Sequence, residues 1–256
     1  PTDPSSPTDP SSPTDPSSPT DPSSPPSDVP QSDSVWKQIG GSLKQISISG
    51  NKACGVNSLD DIYCKGDVNS GEWKQIGGSL KQISISDNKA CGVNSSGDIY
   101  CKGDVNSGNW KQIGGILKQI SISGNKACGV NPLDDIYCKG DVNSGEWKKI
   151  GGKLKHISIS GNKACGVNSS DLVFCRDDVN SGEWKKIGGK LKQISISDNK
   201  ACGVNSSDLV FCRDDVNSGE WKQKEGSLKQ ISVSGNNVSG VNSTDHIYFT
   251  SSISSA

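Results

Sequence analysis

Ten cysteines carry the clearest chemistry in this chain of 256 residues. They form five pairs, Cys54 with Cys64, Cys91 with Cys101, Cys128 with Cys138, Cys165 with Cys175, and Cys202 with Cys212, each ten residues apart. Zinc ligation and disulfide formation are the two chemistries open to them. Zinc-binding cysteine pairs usually sit roughly two to four residues apart, and the two histidines, His156 and His246, fall at different phases of the sequence pattern. Disulfides fit better. At the positions where a sixth pair would fall stand Ser239 and Phe249, so both partners are missing together. Bridges between neighbouring pairs would strand one cysteine at each end, whereas bridges within pairs leave none over. Such bridges place the protein outside the reducing cytosol, secreted or at a cell surface.

The other candidate groups are weaker. Asn-x-Ser/Thr sequons occur at Asn94, Asn168, Asn205, Asn237 and Asn242, all but Asn237 in the same turn after a Gly-Val-Asn run. Asp67 and Asn69 resemble the oxygen-rich start of a calcium loop. The third acidic position is lacking and Asp-x-Asn-Ser-Gly is an ordinary turn, so neither metal nor other cofactor is expected. No histidine recurs from unit to unit beside a serine or cysteine and an acid, and paired acids such as Asp177 and Asp178 read as loop residues, so no enzyme is expected.

The elements that hold these residues come from a repeat. Trp36, Trp73, Trp110, Trp147, Trp184 and Trp221 stand 37 residues apart without insertion or deletion. A fixed period of this size means a propeller, solenoid or array. Each unit breaks into four short runs, in the second GEWKQIGG, LKQISIS, NKACGVN and DIYCKG, separated by Gly, Asn, Asp and Ser. Four strands per unit is the spacing of a propeller blade, which predicts an all-β, six-bladed β-propeller of four-stranded antiparallel blades. Pairing Cys54 with Cys64 puts Val56 opposite Ile62, with Tyr63 on the other face. If LKQISIS is innermost, the last unit has three strands of its own. The N-terminal strand at Val35 to Ile39 would complete that blade, removing two raw edges. The repeated tryptophans then read as packing between blades rather than as sugar-stacking platforms.

Residues 1–34 differ from the propeller region, 35–256. PTDPSS recurs four times, and the segment has no base, no aromatic residue and one apolar side chain, Val29. It cannot bury enough surface to fold. Proline at every third position predicts an extended, polyproline-II-like stalk. Its Thr2, Thr8, Thr14 and Thr20, with Ser5, Ser6, Ser11, Ser12, Ser17, Ser18, Ser23 and Ser24, are candidates for O-glycosylation. Six of the 28 acidic side chains lie there, so residues 35–256 carry 27 basic and 22 acidic groups, a net +5. That is too mild and too interleaved for nucleic acid, and no apolar run is long enough to insert in a membrane. The absence of methionine points to a processed or truncated product.

The pattern W-K-x-I-x-G-x-L-K-x-I-S, then G-V-N, then D-x-I-Y, resembles the tectonin repeat of tectonin lectins, fish-egg lectins and a horseshoe-crab tachylectin. The resemblance covers residues 35–256 and implies a six-bladed propeller that recognises cell-surface or microbial glycans. The cysteines at Cys54 and its equivalents, and the proline stalk, depart from that family. The blade face carrying the SGNK and DVNSGE loops is polar and poor in sequons, which makes it the better ligand face. Its candidates are Asn51, Lys52, Asn69, Asn88, Lys89, Asn106, Asn125, Lys126 and Asn143. Two other expectations stand beside a lectin: a structural subunit that meets other copies of itself in an extracellular filament or coat, and a protein-binding propeller without sugar specificity.

Overall fold

The computed structural model describes residues 36–251. The stalk, its candidate O-glycosylation sites and Val35 lie outside the described residues. Twenty-four strands form six four-stranded antiparallel sheets. Blade 1 consists of β2 (Gln45–Ser49), β3 (Lys52–Val56), β4 (Asp61–Lys65) and β5 (Lys74–Ser79), paired in chain order from the axis outwards. Blades 2 to 5 repeat it at 82–116, 119–153, 156–190 and 193–227 as β6 to β21. Blade 6 has β22 (Gln230–Ser234), β23 (Asn237–Val241) and β24 (His246–Thr250), and its outer strand is β1 (Lys37–Ser42) from the other end of the domain.

The closing strand begins at Lys37 and runs three residues past the expected Ile39, to Ser42. The extension follows from a bulge between Ile39 and Ser42, where the pairing with β24 shifts register. Gly41 supplies the bulge with a φ of 102°. A Cβ there would also lie 3.0 Å from the Trp73 indole nitrogen, so the position excludes other residues twice over.

Alternation along the inner strands explains how so few apolar residues make a core. In Gln-Ile-Ser-Ile-Ser the isoleucines face the preceding blade; Ile83 and Ile85 pack on Val56, Ile62 and the Cys54–Cys64 cystine. The polar residues face the following blade and bond its backbone. Ser47 Oγ accepts from Ile85 N–H at 3.0 Å and Ser49 Oγ from Asp87 N–H at 2.8 Å. Gln45 both accepts from Ile83 N–H and donates to Ile83 C=O, each at 2.9 Å. The same bonds seal blade 6 to blade 1 through Gln230, Ser232 and Ser234. Each inner strand thus presents two of its five side chains to an apolar seam and three to a polar zipper. The exception is blade 4, where His156 replaces glutamine and buries Nδ1 without a hydrogen-bond partner. Burial, reinforced by the charges of Lys155 and Lys118, pushes its pKa down to about 4.

The five cystines lie where the register places them, Cys54 opposite Cys64 and Val56 opposite Ile62. In blade 6 the buried Ser239 donates to Tyr248 C=O at 2.8 Å, and Phe249 fills the seam instead of sulfur. The tryptophans pack between blades: Trp73 Nε1 donates to Gly40 C=O of the preceding blade at 2.7 Å, and the other five make the equivalent bond.

Candidate functional site

One face of the propeller carries the β2–β3 type turns and the long loops after the β4 type strands. These two loops are tied together, with Val68 N–H donating to Asn51 C=O at 2.7 Å, so the loop apex is buried while its polar residues face out. Between neighbouring blades on this face lie grooves. The groove between blades 1 and 2 has a volume of about 450 Å³ and is lined by Lys52, Lys65, Glu72 and Lys74 of one blade and Lys102 and Asn106 of the next. The groove between blades 2 and 3 measures about 490 Å³ and is lined by Lys89, Lys102, Asn109 and Lys111, facing Lys139 and Asn143.

The grooves bring some of the expected residues together. Lys52 meets Asn106 across the first boundary and Lys89 meets Asn143 across the second. Others serve the scaffold. Lys52 bonds Asn88 of the next blade, and Lys126 bonds Asn162. Asn69, Asn106 and Asn143 give their backbone N–H groups to Asp67, Asp104 and Asp141 at 2.9 to 3.0 Å. Asn51 and Asn125 hold their loops through their carbonyls. Asp67 receives Asn69 N–H and Ser70 O–H, a turn that closes on itself. The hydrogen bond from Asn106 N–H holds the Asp104 carboxyl below the usual carboxylate range, and Asn143 N–H does the same for Asp141. No group of three or more potential metal ligands occurs among the described residues.

Sequence reasoning missed the lysines at the ends of the β4 type strands and the starts of the β5 type strands, Lys65, Lys74, Lys102, Lys111 and Lys139. The available signal was their recurrence every 37 residues beside Lys52 and Lys89. Two are fixed by backbone: Lys102 Nζ donates to Gly108 C=O at 2.6 Å and Lys139 Nζ to Gly145 C=O at 2.5 Å.

The sequon turns lie on the opposite face. Asn94, Asn168, Asn205 and Asn242 each fold their Oδ1 back onto backbone N–H groups two and four residues on, in an Asx-type turn. Asn237 differs. It begins β23, its Nδ2 donates to Gly50 C=O and Asn51 Oδ1 of blade 1, and the serine of its sequon, Ser239, is fully buried. Its side chain is part of the ring closure.

The Tectonin domain family model matches residues 24–178 and again 125–256. No curated protein matches the sequence. Solved structures share the fold at low identity. The β-propeller domain of Cps50 (Swd1) from Myceliophteria thermophila superposes with a TM-score of 0.62 at 7% identity, over 85% of this chain and 99% of that one. YCF48 from Cyanidioschyzon merolae gives 0.55 at 14%, over 85% of each chain. Prp20p from Saccharomyces cerevisiae gives 0.57 at 8%, over 80% and 70%.

Proposed function

Because the chain belongs to the tectonin family, we propose that it is a secreted, multivalent carbohydrate-binding propeller carried on a glycosylated stalk. The observation that carries this reading is the polar groove at successive blade boundaries. Volumes of about 450 and 490 Å³ fall in the range of small-molecule sites. Their lysine and asparagine linings offer donors and acceptors to sugar hydroxyls. Shallow sites of this kind bind weakly one by one, and presenting several on one rigid ring raises the effective affinity by avidity. Five cystines support an oxidising compartment, cell-surface or extracellular. We assign no catalysis: His156 sits in the axial glutamine ring, and His246 lies exposed beside Thr244.

A glycan array with the full chain at high micromolar concentration tests the reading. Binding to a restricted set of glycans supports it, and a blank array rejects it. A second reading, protein binding, draws on the opposite face. There Leu59, Leu133 and Ile116 of blades 1 to 3 stand exposed, at 77%, 71% and 56%. Partners pulled down equally well after deglycosylation would favour that reading.

A further inference from the structure

The six blade boundaries are not electrostatically equivalent. In blade 4 the cations of the groove are already neutralised: Asp177 lies 3.4 Å from Lys163 and 3.6 Å from Lys185. The residues at the same three positions in blade 2 are Lys89, Gly103 and Lys111, so the two ammonium groups remain while the carboxylate between them is gone. The neighbouring acid is gone too. Asn109 stands where blades 1, 3, 4 and 5 have Glu72, Glu146, Glu183 and Glu220. Lys89 is also free of the bond that fixes its counterparts. Lys52, Lys126, Lys163 and Lys200 each donate to an asparagine of the next blade, and among the described residues Lys89 makes no such bond. Asp141 approaches from blade 3, but its carboxylate is engaged by Asn143 N–H at 3.0 Å and Ser144 O–H at 3.1 Å. The same loop acid recurs in the other blades, so it does not distinguish this boundary.

We propose that the groove between blades 2 and 3 is a subsite for an acidic saccharide, whose ring carboxylate or sulfate sits between Lys89 and Lys111 in the place that Asp177 occupies in blade 4. Lys102 and Lys139, held at the groove by the carbonyls of Gly108 and Gly145, add two further cations, and Asn143, whose Nδ2 donates to Asp141 at 3.2 Å, leaves its amide oxygen to accept from ring hydroxyls. The space is real: a Cβ built on Gly103 meets nothing within 4 Å. The boundary between blades 1 and 2 also lacks the Asp177 counterpart, at Gly66, but keeps Glu72, and Lys52 is bonded to Asn88; it is the weaker site. The assignment rests on the lectin-like reading and makes one boundary, rather than all, the dominant site.

The test is calorimetric titration of the full chain with trigalacturonate, its neutral methyl ester, a sulfated galactobiose and sodium sulfate, at low and physiological salt. Trigalacturonate or the sulfated disaccharide should bind, more weakly at high salt, and the methyl ester should lose at least tenfold. Gly103→Asp, which builds the blade 4 carboxylate into blade 2, should lower affinity at least tenfold with an unchanged melting temperature. Lys111→Ala should lower it as well, and Asp177→Gly, which leaves Glu183 and the bond from Lys163 to Asn199 in place, should create no second site of equal affinity. Affinity unchanged in Gly103→Asp and Lys111→Ala overturns the assignment. Sodium sulfate binding as tightly as the sugars overturns the saccharide class and leaves an inorganic-anion site. Failure of both acidic sugars while neutral glycans bind on the array overturns the subsite and leaves the lectin reading intact. Silence from every sugar, acidic and neutral, removes both.

Discussion

Replacing His156 by glutamine should stabilise the propeller, and by an amount that grows as the pH falls. Five inner strands bear a glutamine that exchanges two hydrogen bonds with the next blade, as Gln119 does with Ile157 and Gln193 with Ile231. His156 buries its Nδ1 unpartnered in the sixth place. Two restored bonds at a net 0.5–1.5 kcal/mol each would contribute about 1–3 kcal/mol at any pH. A second contribution is pH-dependent. The folded pKa of about 4 lies below the ordinary 6.5, so between these values the unfolded chain binds more protons than the folded one. Stability of the wild type is therefore lost as the pH falls through that window, by about 2.5 kcal/mol between pH 7 and pH 4.5. The carboxylates with lowered pKa, Asp135 and Asp177 among them, lose their contribution at lower pH still, and do so in both proteins. The difference between variant and wild type isolates the imidazole. For a domain of this size it amounts to about 5–10 °C of extra melting-temperature gap at pH 4.5 relative to pH 7. Thermal melts of His156→Gln and wild type across pH 4.5 to 7.5 would show it. A gap that stays constant with pH would refute the buried, neutral histidine.

Three further perturbations follow from the packing. Replacing Cys165 and Cys175 together by serine should cost about 2–3 kcal/mol, from the short loop each bridge closes, read as a lower midpoint in urea melts. Deleting residues 36–42 should leave β24 with an open edge, lowering the melting temperature and producing self-association in light scattering. Gly129→Ala should destabilise strongly, because a Cβ there would lie 2.6 Å from Gln119 C=O and 2.4 Å from a Leu117 methyl; a melting temperature equal to wild type would show that the inner hairpin can spread.

Much of the fold was legible from local rules. The ten-residue cysteine spacing and strand alternation placed Cys54 opposite Cys64 and Val56 opposite Ile62, and the missing strand of the last unit pointed to closure by the first. The limits of β1 were not legible, because the Gly40–Gly41 bulge lets pairing resume at Ser42 after a register shift. The repeat's phase set the sequon at Asn237 apart from the other four, but a one-dimensional pattern could not show what its side chain touches. Its phase puts it on a strand, where Ser239 is buried and the asparagine side chain bonds blade 1. The candidate site was only half legible. Lys52 and Lys89 were visible as members of a polar face, but the grooves are built across blade boundaries. Lys102 and Lys139 therefore belong to a site whose other members lie up to 50 residues away in sequence. Gly103, Asn109 and His156 are departures from the repeat. Their consequences depend on which neighbour each would have touched.

Hydrogen–deuterium exchange with a glycan identified on the array tests the account most directly. The account predicts slowed exchange in the loops and outer strands at 66–76 and 103–113, with the sequon turns at 57–60 and 94–97 unchanged. Protection confined to those turns, with the loops unaffected, would contradict it.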